Sequence, residues 1–391
     1  MNSDADGTTR RIRPVRLDSI DVLRSAAIVL MVVVHFVENL SGRHGGADPF
    51  ADGYRAVWLP TGFAAPIFSF LTGLNYRLWA DGLVARGVAD EAVSKATVRR
   101  GLFLIGLGFA FNVLVWLPED TFNWDILTFI GASLILLDVV RKMPSPVPLG
   151  ACVVVLATAP VLRTIADYPA FWKTGWFDYD WTLGDVLLGF LVVGYFPIVP
   201  WILMPVAGYI ARDSIVGTGT RSCPSRSPIG PLVIGAAFLV ASMTTLAVRP
   251  LISQRMLLGT SSGWTMFPPS TAYLLGPLGI TILAATLLHR LMDCRESGLL
   301  TKLTRWTRPL SRHALSVYLL HHVVHVWPMW IAGLRISGDV SAFWQVAVPP
   351  GTSLVLAFLF LVAVVILFEW IDRRGLPSVE SLMRWLCDEG P

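Results

Sequence analysis

Ten long apolar runs dominate this sequence and restrict what it can fold into. Each is roughly 17 to 25 residues long, the length that an α-helix needs to cross the hydrocarbon core of a bilayer. They lie near 19–40, 60–80, 101–117, 125–141, 147–163, 186–212, 230–248, 271–290, 311–333 and 350–371. Charged residues make up only 15% of the chain, against about 25% in soluble domains. The sequence therefore predicts an all-α, polytopic membrane helix bundle of about ten transmembrane helices.

The sixth run is the least regular of the ten. The apolar stretch at 183–211 is too long for a single span. It is interrupted by residues that break helices: Gly194, Pro197, Pro200 and Pro205. Backbone that is not helical is tolerated at membrane depth only where protein or water covers it. Residues 183–200 are thus expected to form either a re-entrant piece or an eleventh span.

Arginine and lysine predict the orientation of the bundle. With the N-terminus inside, the inner segments carry 22 of these residues and the outer loops carry 7. This asymmetry indicates that both termini are cytoplasmic. Residues 1–17 are then a polar tail, 18–371 the transmembrane domain and 372–391 a second tail. The expected location is the plasma (inner) membrane, and the basic pI near 9.0 reflects topology and not a nucleic-acid partner.

Two smaller expectations follow from the inner segments. Three cysteines, Cys223, Cys294 and Cys387, fall on the inner side and Cys152 lies in a helix, so no disulfide is expected. The tail from Pro377 to Trp385 has the pattern of a short amphipathic surface helix.

Ionisable residues inside spans are costly and usually have a function. In the first span, Asp21, Arg24, His35, Glu38 and Asn39 fall on one helix face. Arg24 and His35 are eleven residues apart, which is roughly 16 Å of rise. Two other interpretations stay open: Asp21 and Arg24 can simply pair at the helix end, and His35 with Glu38 can form a structural hydrogen bond.

The ninth span contains three histidines within five residues. His321 and His325 share a face, and Tyr318 precedes His321 by three positions. This helix runs in the same direction as the first, so one of these imidazoles is expected to meet His35. For His322 a hydrogen bond to a backbone carbonyl is the expected role. No metal is expected, because the histidines have no recognised metal-ligand spacing and all four cysteines lie elsewhere.

The outer loops carry acidic and aromatic residues that suit a sugar. The first loop holds Asp48 and Arg55, and the segment WFDYDW supplies Trp176, Asp178 and Asp180. Rings of this kind stack on sugar faces while carboxylates bind hydroxyls or an amine. The alternative is an interfacial aromatic belt. A G-x-S-x-G nucleophile elbow and a P-loop are absent from the sequence.

Seven segments resemble those of the small bacterial members of one enzyme family, the heparan-alpha-glucosaminide N-acetyltransferase-like transmembrane acyltransferases. In order they are SIDVLRSAAIVLMVVVHF, AAPIFSFLTGLNYRL, VRRGLFLIGLGFAFN, NWDILTFIGASLIL, GYFPIVPWILMPVAGY, FPPSTAYLLGPLG and LSRHALSVYLLH. Together they span about residues 18–325, and their order is more specific than any one of them. The sequence departs from the eukaryotic relatives, which have a catalytic histidine three residues before a tryptophan in the first outer loop. Arg55 holds that position here, and His44 is out of register.

The resemblance implies transfer of an acyl group, expected to be acetyl, from cytoplasmic acyl-CoA to a hydroxyl or amine of an extracytoplasmic glycan. His35 would act as base or acyl carrier with Glu38 orienting it, and Tyr318, His321 or Asn39 would stabilise the oxyanion, with His325 nearby. Arg24, Arg99 and Arg100 would hold the phosphates of CoA. A transporter or flippase is the alternative, since it too uses intramembrane ionisable residues and broken helices.

Overall fold

The computed structural model describes residues 16–41, 60–116, 120–173, 177–217, 223, 227–248, 263–294, 298–340 and 348–388. The regular structure within these ranges is helical, and its extended pairing is a single bridge between Met266 and Pro269. The prediction of an all-α chain is confirmed for this part of the protein.

Fifteen α-helices follow one another along the described chain. They are α1 Asp18–Leu40, α2 Ala64–Val84, α3 Asp90–Val115, α4 Ile126–Arg141, α5 Pro146–Ile165, α6 Tyr168–Phe171, α7 Leu183–Leu188, α8 Ile198–Trp201, α9 Leu203–Ile215, α10 Ile229–Val248, α11 Thr271–Leu288, α12 Gly298–Arg312, α13 Ala314–Ser337, α14 Pro350–Arg374 and α15 Val379–Asp388. Two π-helical turns, Gly189–Val193 and His289–Asp293, extend α7 and α11.

Eight helical segments of the described chain are long and apolar enough to cross a membrane. They are α1, α3, α5, the segment Leu183–Ile215, α10, the segment Thr271–Asp293, α13 and α14. The remaining two predicted spans form helices α2 and α4, of which α4 has only 16 residues. The protein is thus a multi-pass membrane protein by its helices, while ten spans with cytoplasmic termini stay a prediction.

The sixth apolar run is broken where its prolines and glycine predict. The helix beginning at Leu183 ends in the π turn, and Gly194 has extended backbone. A short helix, α8, then precedes α9, and Val199 within α8 has non-helical backbone.

Helix α12 was not anticipated, because its segment was counted only as one of the inner segments between spans. It is strongly amphipathic, and Trp306 on its surface is 65% exposed. Such a helix is typical of a membrane–water interface. The predicted amphipathic tail helix is confirmed as α15.

Close helix approach in the bundle depends on small residues. A Cβ atom on Gly73 of α2 would lie 1.7 Å from the carbonyl oxygen of Pro205, and one on Gly208 of α9 would lie 1.9 Å from that of Phe70. No side chain fits in these positions. Reciprocal glycine pairs also join α3 to α4, through Gly101 and Gly131, and α10 to α11. Packing of small residues is a main source of helix association in membranes.

The prediction that no disulfide forms is wrong for one pair of cysteines. A disulfide joins Cys223 and Cys294, whose Cα atoms are 5.5 Å apart. Cys294 directly follows the π turn after α11, and the Cys223 sulfur also lies 3.6 Å from the carbonyl oxygen of Asp293. The end of α11 therefore brings the two together across 71 residues of sequence, a proximity that spacing alone does not reveal.

Both ends of α1 are held by other parts of the chain. At the N-terminal end, the Asp293 carboxylate accepts hydrogen bonds from the Asp18 N–H at 2.8 Å and from the Ser19 N–H and hydroxyl. At the C-terminal end, the Val348 N–H donates to the Leu40 carbonyl at 2.8 Å. The first helix is consequently fixed in position along its axis, together with the polar face it carries.

Candidate active site

Helices α1 and α13 bring the histidines of the first and ninth spans into contact. The Nδ1 of His35 lies 2.9 Å from the Nε2 of His321, and the Nδ2 of Asn39 lies 2.6 Å from the Nε2 of His325. The two contacts step four residues in the same direction on both helices, so α1 and α13 run parallel here. The predicted meeting of the two spans is confirmed.

Backbone contacts define the tautomers of these imidazoles. The Nδ1 of His321 lies 3.1 Å from the carbonyl oxygen of Val317. A carbonyl only accepts, so in the neutral ring Nδ1 carries the proton and Nε2 accepts. The partner of that Nε2 is the Nδ1 of His35, which therefore donates. The Nε2 of His35 then bears the lone pair that a general base requires.

The direction of the hydrogen bond between Asn39 and His325 follows from a backbone contact in the same way. The Nδ1 of His325 lies 2.5 Å from the carbonyl oxygen of His321, so its Nε2 accepts from the Asn39 amide. That amide uses one N–H in this contact and retains a second donor. Of the three residues predicted to stabilise the oxyanion, Asn39 is thus the one that still has a proton to offer.

His322 lies closer to His35 than the sequence suggested. Its Nδ1 is 3.3 Å from the Tyr318 carbonyl, as expected, but its ring centroid is also 4.7 Å from that of His35. The ring of Phe111 in α3 and the ring of Trp116, which directly follows α3, contact the same imidazole edge-on at 5.0 and 5.5 Å. These aromatic rings cover one side of the histidine cluster and make its surroundings apolar.

Asp125 is a site residue that sequence reasoning missed. The Tyr318 hydroxyl donates a short hydrogen bond to its carboxylate, and the Ile126 N–H donates a second at 2.5 Å. Asp125 therefore caps α4 while holding Tyr318, whose ring lies 5.6 Å from that of His321. With its proton directed to Asp125, Tyr318 positions the cluster and does not point a donor at a reacting oxygen. An acidic N-cap at the end of an apolar run was the available signal.

Glu38 follows His35 by three residues on α1, and its side chain is half-buried. The ring that Glu38 was expected to orient is bound through its Nδ1 by His321.

In the N-terminal part of α1, Arg24 forms a hydrogen bond with the C-terminal end of α12. Its guanidinium donates to the Ser311 hydroxyl at 2.8 Å and lies 3.8 Å from Asp21, which accepts from the same hydroxyl at 2.7 Å. Arg100 is bound by Asp388 of α15 and lies 4.1 Å over the Trp79 ring. Arg99, beside it, is half-buried.

The acceptor residues expected at the outer face are only partly visible. Asp48, Arg55 and Trp176 lie outside the described residues. Asp178 and Asp180 are exposed and make no described contact with the histidine cluster. The tyrosine between them, Tyr179, accepts a hydrogen bond from the Phe122 N–H at 3.0 Å, so this loop packs beside the segment that leads to Asp125.

The histidine cluster also has the composition of a metal site. One ring nitrogen each from His35, His321 and His322 lies within 4.8 Å of the others. Imidazoles are good zinc ligands, but the backbone carbonyls and the His35 to His321 hydrogen bond already account for four of their six ring nitrogens. The residues fit a hydrogen-bonded base at least as well as a metal.

The imidazoles of α1 and α13 thus form one hydrogen-bonded cluster between two parallel helices that are long and apolar enough to cross a membrane. A sequence model of the catalytic region of heparan-alpha-glucosaminide N-acetyltransferase matches residues 16–248, which is more than half of the chain. The protein belongs to that family, whose members are membrane acetyltransferases. No curated protein matches the chain. The matched segment includes His35, Asn39 and Asp125, whereas His321 and Tyr318 lie beyond it.

Proposed function

We propose that this protein transfers an acyl group, expected to be acetyl, from cytoplasmic acyl-CoA to a hydroxyl or amine of an extracytoplasmic glycan. The main support is the contact between His35 and His321 at 2.9 Å, inside a chain of the acetyltransferase family. The proposed location is the inner membrane, with both termini in the cytoplasm as the arginine and lysine distribution indicates.

The base in this reaction is the Nε2 of His35. It takes the proton of the acceptor hydroxyl or amine as that group attacks the thioester carbonyl. A new C–O or C–N bond forms, the C–S bond breaks, and CoA leaves as a thiolate that is then protonated. The imidazolium formed on His35 is stabilised through its Nδ1–H, which donates to the neutral His321 ring.

The oxyanion formed during attack needs donors at the same depth. The second N–H of Asn39 is the donor that the described contacts support, because the Asn39 amide is held in place by His325. Donors fixed before the reaction stabilise developing charge without reorganisation. Tyr318, His321, His325 and Glu38 are then positioning residues around His35 and Asn39.

The donor is proposed to approach from the inner end of the same helices. Arg24 lies roughly 16 Å below His35 along α1, and its side chain retains 24% exposure. Arg99 and Arg100 lie within α3, well after its start at Asp90, and Arg100 is paired with Asp388. Arginine forks suit phosphate oxygens, so Arg24 is the first of the three to test.

The acceptor is proposed to approach from the outer loops. Asp178 and Asp180 are exposed and lie beside aromatic residues, which is suitable for a sugar. Asp48, Arg55 and Trp176 are retained as proposed acceptor contacts from the sequence.

The transporter alternative has one structural feature in its favour, the broken segment Leu183–Ile215. Reconstituted liposomes separate the two functions. A transporter moves labelled substrate without acyl-CoA, whereas the proposed enzyme yields acylated product only when acyl-CoA is present.

The test of the enzyme is acetyl-CoA consumption by the purified protein with a panel of cell-envelope sugars. His35→Ala is expected to reduce turnover by roughly 10² to 10⁴ fold, the usual contribution of a general base. His44→Ala, in the first outer loop, is the matched control and is expected to remain active. Activity that survives in His35→Ala but disappears in His44→Ala would show that the general base is His44 of the outer loop and not His35.

A further inference from the structure

A cavity with an arginine-rich lining lies where the chain segment before α1 meets α12 and α14. Its volume is about 340 Å³. The residues that line it are Arg16, Thr304, Arg305, Arg308, Pro309, Arg312, Glu369 and Asp372. The cavity is separate from the histidine cluster, and none of its residues was assigned a role in the proposed reaction.

The arginines of α12 face this cavity because of their spacing. Arg305, Arg308 and Arg312 follow one another at intervals of three and four residues, which places them on one face of a helix. Arg16 adds a fourth guanidinium from the segment before α1. The lining contains two carboxylates, and two more pair with its arginines from outside it, Asp21 with Arg16 and Asp18 with Arg308.

The ion pairs at this cavity use only part of what the arginines can donate. Arg308 has one nitrogen 3.1 Å from Asp18, and Arg312 has one nitrogen 3.2 Å from Asp372. Their side chains remain 50% and 51% exposed, and Arg305 is exposed. A guanidinium carries five N–H donors, so several stay available to a ligand that enters the cavity.

We infer that this cavity binds phosphate groups, and that in the acyl transfer proposed above the phosphates are those of acyl-CoA. Arginine forks bind phosphate oxygens in a bidentate manner, and clusters of them are favoured for this purpose. This assignment rests on the proposed function for the identity of the ligand, but not for its phosphate chemistry.

The cavity and the histidine cluster lie on helices that follow one another or are in contact. Arg312 is the last residue of α12, and α13, which carries His321, begins two residues later at Ala314. Arg24 contacts Ser311, the neighbour of Arg312, at 2.8 Å. The Arg24 contact connects the cavity to the polar face of α1 that carries His35, so a donor anchored by its phosphates would have its acyl end directed toward that face.

Anionic lipid headgroups carry the same phosphate chemistry. The exposed Trp306 on α12 indicates that this helix lies at the membrane surface, where such lipids are present. The experiment therefore needs one arm for a soluble nucleotide and another for lipid.

The direct test is binding of adenosine 3′,5′-bisphosphate to the full-length protein in nanodiscs of neutral phosphatidylcholine. Arg305→Gln and the double variant Arg305→Gln/Arg308→Gln are expected to weaken binding by about tenfold or more, in keeping with lost hydrogen bonds between charged groups. Arg86→Gln, at an exposed arginine after α2, is the matched control. Arg305→Gln removes no described ion pair, so it tests the cavity even if the double variant is unstable. Unchanged binding in Arg305→Gln and in a folded double variant would overturn the inference.

A kinetic arm identifies the ligand. The variants are expected to raise the KM for acetyl-CoA but not the KM for S-acetylpantetheine, which lacks phosphate. Equal effects on both donors would contradict the assignment. If phosphatidylglycerol in the nanodiscs displaces the nucleotide and the variants alter only lipid binding, the cavity is a lipid site. If the protein acylates no acceptor but still binds the nucleotide through Arg305, the proposed function fails while the phosphate site stands.

Discussion

His35 and His321 lie 286 residues apart in the sequence, yet their Nδ1 and Nε2 atoms are 2.9 Å apart. The direction of this hydrogen bond follows from the Val317 carbonyl, which fixes the proton on the far side of the His321 ring. It gives His35 a defined tautomer within the membrane, and most of the predictions below depend on that arrangement.

Removal of the His321 ring should lower turnover and leave the protein folded. His321→Ala deletes the acceptor of the His35 Nδ1–H, and a hydrogen bond to a charged group is worth roughly 10 to 100 fold. His321→Gln offers an amide oxygen in its place and should recover part of the loss. The measurement is kcat for acyl transfer by both variants. Equal rates in His321→Ala and wild type would show that His35 does not need this partner.

The Tyr318 and Asp125 pair should respond unequally to its two conservative changes. Tyr318→Phe leaves a buried carboxylate without its hydroxyl donor, which costs about 1–3 kcal/mol. Asp125→Asn keeps an acceptor oxygen for the tyrosine and for the Ile126 N–H. Thermal unfolding in detergent should therefore show a larger fall in Tm for Tyr318→Phe. The reverse order would mean that the negative charge of Asp125, and not its hydrogen bond, is what matters.

Arg24→Ala should raise the KM for acyl-CoA far more than the KM for the acceptor. The guanidinium lies at the inner end of the polar face, and exposed charge interactions weaken with salt, so high salt should partly reproduce the effect. Arg77→Ala is the control. Arg77 also lies within a helix, α2, but it pairs with Asp213 of α9 and not with residues near α1. Equal losses for donor and acceptor would indicate a folding defect in place of a donor contact.

The contact between α15 and the start of α13 should depend on pH in both directions. Burial opposes the charge on Glu380, but His313 and the Ser316 N–H and hydroxyl lower the pKa of Glu380 to about 2, from an ordinary value of 4.5. Burial likewise opposes protonation of His313, but the Glu380 and Asp372 carboxylates raise the pKa of His313 above 6.5. The Glu380 contribution is complete above pH 4.5 and is lost as pH falls toward 2. The His313 contribution is complete below pH 6.5 and is lost as pH rises through its folded pKa.

The docking of α15 is therefore expected to be strongest between about pH 4.5 and 6.5. The rate of limited proteolysis of the C-terminal segment, measured across pH, reports on this docking. Glu380→Gln should weaken docking and reduce the dependence of the cleavage rate on pH at acidic pH. Glu369→Gln, which removes only an exposed pair with Arg373, serves as the control. A cleavage rate that does not change with pH would contradict the assignment.

Chelation should not abolish the activity. His35, His321 and His322 are close enough to share a metal ion, but their hydrogen bonds explain the arrangement without one. Turnover is expected to be unchanged after dialysis against a strong chelator. Loss of turnover that zinc alone restores would make this cluster a metal centre.

The sequence by itself determined the helices and the polar residues they carry. These features are patterns within short stretches of sequence: apolar runs of membrane length, helix-breaking residues, and the spacing of Arg24, His35 and Asn39. Such patterns can be recognised in one sequence without knowledge of its tertiary contacts. The direction of the ninth span was also a local property, and it was enough to predict that its histidines would meet His35.

Only the tertiary structure decided which polar groups meet at short range. Asp125 reaches Tyr318 across 193 residues, and Cys223 reaches Cys294 across 71. Arg16 shares a cavity with the α12 arginines, although no helix was predicted for their segment. In each case the contact depends on the rotation and depth of helices packed through close glycine contacts. Those parameters are fixed by the whole bundle, because shape complementarity between distant segments leaves no periodic trace in the sequence of either one.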